Sequence, residues 1–260
     1  MNLLDSLGKI LRYRAVLRDM SFKQLKAKYS GSTLGWWWTV AIPVLLAASI
    51  SFVFVQVFKT NVEHFTFFVL SGLLPWIFFS SALSEATSSF VTHAAELRQG
   101  IFPRAFIPMS AVTSNFLNFL IGLVFLLPCF IWIKPGIVFV LPFLILIMVL
   151  QFFFLVGLGF IFSVVNIFWR DLSYLLTVVL TAWFWITPVF YTIDSLAWPY
   201  RGVCLWNPVT FYVLAYQDIL FKGLAPSFLT LFISFILAIF FAIAGYVFFL
   251  IKEPQLLKKL

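Results

Sequence analysis

The side chains able to carry out bond chemistry are sparse in this sequence, and none of them converge. Glu85 stands at the end of an apolar run with no second acid beside it, and His93 is isolated in a polar stretch, as a surface residue would be. Cys129 lies in an apolar run and Cys204 in a loop, with neither disulfide nor metal-ligand spacing. Gly8-Lys9 lacks both the preceding glycine and the following Ser/Thr of a phosphate-binding loop, so the chain is expected not to bind ATP by itself. There is no H-E-x-x-H, no G-x-S-x-G and no relay of carboxylates in the apolar runs like those of proton-driven carriers. No catalytic residue and no metal ligand can be nominated. Aromatic surface, in contrast, makes up 20% of the chain. Trp36, Trp37, Trp38, Trp76, Trp183, Trp185 and Trp206 carry flat apolar rings that can face the C–H side of a sugar, but such rings also gather at bilayer interfaces. Consecutive helical residues point in different directions, so only part of the Trp36 to Trp38 triplet can face any one pore.

The elements that must position these groups follow from composition. With 63% hydrophobic and 10% charged residues and a mean hydropathy of +1.08, the chain has too little polar surface to cover a soluble globule. It reads as an all-α polytopic membrane protein. A bilayer core of about 30 Å needs roughly 20 helical residues, and on that ruler six spans are expected, at 34–58, 65–83, 109–133, 137–166, 174–191 and 227–251. This divides the chain into an arm (1–33), a six-span domain (34–251) and a tail (252–260). Of the seventeen Lys/Arg, thirteen fall on the side holding both termini and four (Lys59, Lys134, Arg201, Lys222) on the other. The positive-inside rule then places both termini in the cytoplasm. The net charge of +8 crowds the ends and short loops as topology signals do, which argues against nucleic acid. About thirty polar or amphipathic residues precede the first apolar run, so no cleaved signal peptide is expected. Lys134-Pro135-Gly136 reads as a tight outer hairpin, Pro128 and Pro142 as kink sites, and Gly157 and Gly159, only two apart, as close-packing positions rather than a small-xxx-small pair.

Three segments outside the central spans stand out. In the arm, Leu3, Leu4, Leu7, Ile10 and Leu11 repeat at helical spacing opposite Asp5, Lys9 and Arg12, the pattern of a helix lying among lipid headgroups. It either anchors to anionic lipid or also braces a cytoplasmic partner. The stretch Ser84-Glu85-Ala86-Thr87-Ser88-Ser89 marks where the second span leaves the bilayer. Beyond it a short helix stopped by Gly100, with Phe102-Pro103 turning the chain, forms either a docking knob or a solvated connector. In the outer segment, Asn207-Pro208 gives an N-cap and proline at the first helical position, and Gly223 a stop, which defines a helix of about fourteen residues. Too short to cross, it is interfacial or re-entrant, and either a lid or an aromatic anchor. Asn115, Asn118, Gln151 and Asn166 are polar at membrane depth and suit interhelical hydrogen bonds or pore lining.

Lys28-Tyr29-Ser30-Gly31-Ser32-Thr33-Leu34-Gly35-Trp36 entering the first span, Gly72-Leu73-Leu74-Pro75-Trp76-Ile77-Phe78-Phe79 in the second, Phe102-Pro103-Arg104 before the third, Asn166-Ile167-Phe168-Trp169-Arg170-Asp171-Leu172 before the fifth, and Thr187-Pro188-Val189-Phe190-Tyr191 with Asn207-Pro208 beyond it occur in an order and spacing that are fairly specific. Together they resemble the polysaccharide-exporter branch of the ABC-2 permeases over nearly the whole chain. The resemblance implies a homodimeric permease in the cytoplasmic (inner) membrane, in contact with membrane lipids, with two copies of a separate ABC ATPase that holds the ATP and Mg. It implies a lipid-linked glycan (O-antigen, teichoic acid or capsule) as substrate. The arm would be an interface helix, and Ala94, Glu96, Leu97, Arg98, Phe102 and Arg104 would belong to the ATPase-coupling segment. Trp38, Phe52, Trp183, Trp185 and Tyr191 would line the glycan path, and Asn207, Pro208 and Tyr212 would form the outer gate. The competing expectations are an ABC-2 permease for a drug or ordinary lipid and a membrane enzyme of glycolipid assembly, the latter lacking convergent acids or a metal site.

Overall fold

The computed structural model describes residues 13–60, 62–94 and 103–259. Among these residues the regular elements are all helices, without a strand. α1 (Arg14–Tyr29) leads through a 3₁₀ turn at Gly35–Trp37 into α2 (Trp38–Gln56), followed by α3 (Phe65–Thr92), α4 (Phe106–Ile133), α5 (Ile137–Phe168) and α6 (Leu172–Ile186). The short helices α7 (Tyr200–Trp206) and α8 (Pro208–Tyr216), the latter extended by a π turn over Gln217–Lys222, precede α9 (Phe228–Lys259). α3, α4, α5, α9 and the run Gly35–Gln56 are long and apolar enough to cross a membrane, and α6 is a shorter apolar helix. The protein is a multi-pass membrane protein.

α3 is the core around which the others stand. Most of its side chains are buried, with Phe79, Leu83 and Phe90 wholly so. Its 28 residues make a rod of about 42 Å, longer than the hydrocarbon core by about 12 Å. The expected exit near Ser84 is therefore not a break in the helix. The hydroxyls stay on the helix by returning to its own carbonyls, Thr87 Oγ1 to Leu83 at 2.6 Å and Ser89 Oγ to Ala86 at 2.6 Å. α3 thus runs from Phe65 to Thr92 as one continuous rod.

α1 leans on the first turns of α4. Gln24 Nε2 donates to Ser110 Oγ (3.0 Å), Lys28 Nζ to Asn115 Oδ1 (2.7 Å) and the Tyr29 hydroxyl to Asn118 Oδ1 (2.6 Å), so the two helices rise together. The amphipathic pattern at Leu3 to Arg12 lies outside the described residues. Between α1 and α2 the chain turns where Gly31 and Gly35 take φ of 79° and 50°, left-handed values that glycine adopts without a Cβ clash. The two glycines make this turn an elbow between arm and span. Trp38 closes it by donating its indole N–H to Ser32 Oγ at 3.0 Å.

α5 and α9 pack along most of their length because small residues let their backbones meet. Gly157 faces the α9 backbone at Phe241, and Gly245 faces the Gly157 backbone in return. Gly159, two residues on, faces Ala86 and Val112 instead. The two glycines therefore serve different neighbours, as a spacing of two on a helix requires. The hairpin Lys134–Gly136 between α4 and α5 is as tight as expected, with Ile137 N donating to the Lys134 carbonyl at 3.1 Å. Pro128 and Pro142 lie within continuous helices.

The span expected at 174–191 is corrected. α6 stops at Ile186 after 15 residues, about 22 Å of rise. Pro188 is the reason, since a residue preceding proline is forced towards extended backbone, and Thr187 has ψ of 133°. The chain continues extended, and its freed carbonyls are taken by side chains: Gln217 Nε2 donates to the Pro188 carbonyl at 2.8 Å, the Tyr191 hydroxyl to that of Ile186 at 2.8 Å, and Cys204 Sγ to the same oxygen at 3.3 Å. Non-helical backbone at membrane depth persists only with such partners.

A hydroxyl-lined groove between α2 and α6

In the outer segment α8 packs into the helix bundle. α8 has its Asn207 end beside Trp183 of α6, while the far end of the π turn, at Gly223, meets the Lys134–Gly136 hairpin. Tyr212 and Tyr216 are fully buried, Tyr212 stacking on Phe154 at 5.1 Å between ring centroids and donating to the Ser234 carbonyl at 2.9 Å. Gly223, with φ of 68°, ends the turn. Asn207 is the joint of this element. Its Oδ1 accepts from Val209 N (2.9 Å), which caps α8, and from Trp183 Nε1 (2.8 Å), while its Nδ2 donates to Thr187 Oγ1 (2.9 Å). One amide therefore holds the start of α8 to the end of α6. Pro208 occupies the first helical position, where its missing N–H costs nothing.

Between α2 and α6, with α3 as floor, runs an open groove of about 660 Å³. Its walls carry Leu46 and Ile50 from α2, Trp76, Phe184 and Trp185, and a polar stripe of Ser80, Ser81, Ser84, Thr177 and Thr181. The stripe follows from spacing: Ser80 and Ser84, and Thr177 and Thr181, each lie four residues apart and so share a helix face. A smaller niche of about 250 Å³, lined by Lys28, Trp38, Thr39, Glu85, Asn115 and Asn118 among others, adjoins the groove and shares Ile77, Ser81 and Glu85 with it.

At the boundary between niche and groove stands a polar knot. Lys28 Nζ lies 2.8 Å from Glu85 Oε1, and Asn115 Nδ2 donates to Glu85 Oε2 at 2.8 Å while its Oδ1 accepts from Lys28. Thr39 Oγ1 donates to the Tyr29 oxygen at 2.9 Å. The polar residues expected at membrane depth are thus largely interhelical partners: Asn115 and Asn118 join α4 to α1, and Gln151 Nε2 of α5 donates to the Pro75 carbonyl of α3 at 3.0 Å. Asn166 is buried at the end of α5.

Of the aromatic residues nominated from sequence, Trp185 lines the groove and Trp38 the niche. Phe52 is on the open face of α2, 68% exposed. Trp183 is turned inward, edge-on to Phe79 at 5.4 Å, with its N–H held by Asn207. Tyr191 caps the end of α6. Among the coupling residues, Glu96, Leu97, Arg98 and Phe102 lie outside the described residues, and Ala94 ends the described part of that segment. Arg104 sits at the start of α4, its Nη1 3.8 Å from Glu253 Oε1 and 3.4 Å from the Glu253 carbonyl, which ties it to the end of α9. The serine and threonine stripe was not nominated from sequence, although hydroxyls recurring every fourth residue in otherwise apolar helices signal it. The Lys28–Glu85 pair had no sequence signal, because its members are 57 residues apart.

Comparison with known proteins agrees with this architecture. The chain is 30% identical over 202 residues to an O-antigen export system permease protein, RfbA, of Klebsiella pneumoniae, covering 77% of this chain and 78% of that one. It is 30% identical over 221 residues to the protein of the same name from Myxococcus xanthus, covering 84% and 85%. It is 20% identical over 220 residues to the polysialic acid transport protein KpsM of Escherichia coli, covering 81% and 83%. These relatives are transport proteins by name, and the pattern of the ABC-2 type transporter family matches residues 17–221. A multi-pass chain with this match and these relatives is a permease that belongs to the ABC-2 type transporter family.

Proposed function

We propose that the chain is the transmembrane permease subunit of an exporter that moves a lipid-linked, O-antigen-like polysaccharide across the cytoplasmic membrane, driven by a separate ATPase. The observation that carries this reading is the groove between α2 and α6. A translocated glycan needs a path that exchanges many weak contacts, because a site binding too tightly would stop it. Hydroxyls at Ser80, Ser84, Thr177 and Thr181 can trade hydrogen bonds with sugar hydroxyls, and Trp76, Phe184 and Trp185 can face sugar C–H surfaces.

The groove is open along one side, and the flanking faces of α2 and α6 expose Leu45, Phe52, Val178 and Trp185. A second copy of the chain closes the trough into a path, which is the support for a homodimer. α1 and the end of α9 both meet the beginning of α4, so both lie at one end of the bundle, and the charge asymmetry makes that end cytoplasmic. Two copies of the ATPase dock there, on the segment from Ala94 to Phe102, and bring the ATP and Mg. Asn207, Pro208 and Tyr212, at the base of α8, form the outer gate. The domain division follows: an interface arm (1–33), the membrane domain (34–251) and a cytoplasmic tail (252–260).

Depleting the protein from its host and following lipid-linked glycan tests the proposal. The expected result is accumulation of complete glycan on the cytoplasmic face. Failure to synthesise the glycan at all, or unchanged export, overturns it.

A further inference from the structure

The groove and its niche are followed by further open space beyond Glu85. A third cavity, of about 330 Å³, lies on the arm side and is bordered by Gln24, Ser88, Thr92 and His93. Lys28 and Glu85 line both this cavity and the niche, and Glu85 lines the groove as well. The ion pair therefore stands where three spaces meet. We propose that Lys28 and Glu85 are the inner gate of the groove: paired, they separate the arm-side cavity from it, and when α1 moves away from α3 the three spaces join.

The geometry suits a contact that opens and re-forms. Lys28 belongs to α1, Glu85 to α3 and Asn115 to α4, and the three meet at 2.7–2.8 Å. Both charged side chains keep some exposure, 23% for Lys28 and 41% for Glu85, and a part-exposed pair is weak enough to be broken without unfolding. Asn115 is anchored on its own helix, its Nδ2 within 2.8 Å of the Ala111 carbonyl, so Glu85 keeps a hydrogen-bond partner when Lys28 departs. Glu85 also lies seven residues before the end of α3 at Thr92, on one continuous rod. A push on the segment after α3 reaches Glu85 without an intervening hinge. The pair is thus placed to convert movement at the cytoplasmic end into access to the groove.

This inference rests on the groove being the transport path, but its test uses no glycan, so the two can fail separately. In a Cys129→Ala, Cys204→Ser background, Ser81→Cys places a thiol on the wall shared by niche and groove. A charged, membrane-impermeant thiosulfonate is applied to inside-out vesicles and the labelling rate is measured. Glu85→Gln and Lys28→Met are each expected to raise the rate about tenfold. The exchange Lys28→Glu with Glu85→Lys, and the single change Lys28→Arg, are expected to keep the slow rate. Rates within about twofold of the parent for both neutral variants overturn the gate and leave the pair a brace between helices. Should the neutral variants not accumulate, the parent Ser81→Cys protein is labelled together with its ATPase, with and without nucleotide. A slow rate in both states contradicts the proposal, and acceleration in one state supports it.

Discussion

Gly157→Leu is expected to abolish recovery of folded protein, because the backbones of α5 and α9 meet at this position with no room for a side chain. The atoms that an added Cβ would strike are the Phe241 carbonyl group and the Ala242 nitrogen, which are backbone and cannot rotate away. Relief requires the two helices to separate along the most extensive interface in the molecule, and that separation would pull Phe154 from Phe241, rings now 5.2 Å apart. Overpacking of a well-filled interior costs about 1–3 kcal/mol even for small insertions, against a total stability of about 5–15 kcal/mol for ordinary domains. Gly157→Ala therefore gives a protein that inserts but melts several degrees lower, its gain in helix propensity of about 1 kcal/mol outweighed by the clash. Gly159→Ala supplies the contrast. Its nearest neighbours are the Ala86 Cβ at 3.1 Å and a Val112 methyl at 3.4 Å, side-chain atoms on helices that can shift by tenths of an ångström. Thermal unfolding in detergent should rank wild type and Gly159→Ala together, Gly157→Ala below them, and Gly157→Leu as unfolded. Equal melting of the two alanine variants would contradict the packing described.

Asn207→Ala is the second large effect. The substitution removes the cap of α8, worth about 1 kcal/mol, and leaves the half-buried Trp183 N–H without its acceptor, at about 1–3 kcal/mol. The combined cost is about 2–4 kcal/mol, large for one surface-distant amide. Asn207→Asp keeps the acceptor for Val209 and Trp183 and loses only the donation to Thr187, so it should be milder. A double-mutant cycle with Trp183→Phe isolates the shared part: once the indole N–H is gone, Asn207→Ala should cost less by about 1–2 kcal/mol. Strict additivity in equilibrium unfolding would mean that Asn207 does not join α6 to α8.

The two positions also show what could and could not be read before the structure. The cap at Asn207, the proline at 208 and the stop at Gly223 are local signals, and the helix they bracket is where they put it. The hairpin at Lys134–Gly136 was legible for the same reason. Length and hydropathy located the spans, but the end of α6 turned on Pro188, whose effect depends on Gln217, Tyr191 and Cys204 taking the released carbonyls from elsewhere in the chain. Glu85 read as the point where a helix leaves the bilayer, because a lone carboxylate in sequence carries no sign of a lysine 57 residues earlier. Trp183 and Trp185 illustrate the limit for site residues. They are two apart on one helix, identical in type, and only their neighbours decide that one holds Asn207 and the other faces the groove.

The most direct test of the account is whether glycan passes through that groove. A photo-reactive phenylalanine analogue placed at Thr181 or Leu46, on the groove walls, and at Ile243, on the exposed face of α9, reports which surface the substrate touches during export. The account predicts glycan cross-linked to the protein at Thr181 and Leu46 and none at Ile243. Continued export with glycan captured equally at Ile243, or not captured from either groove wall, would contradict it.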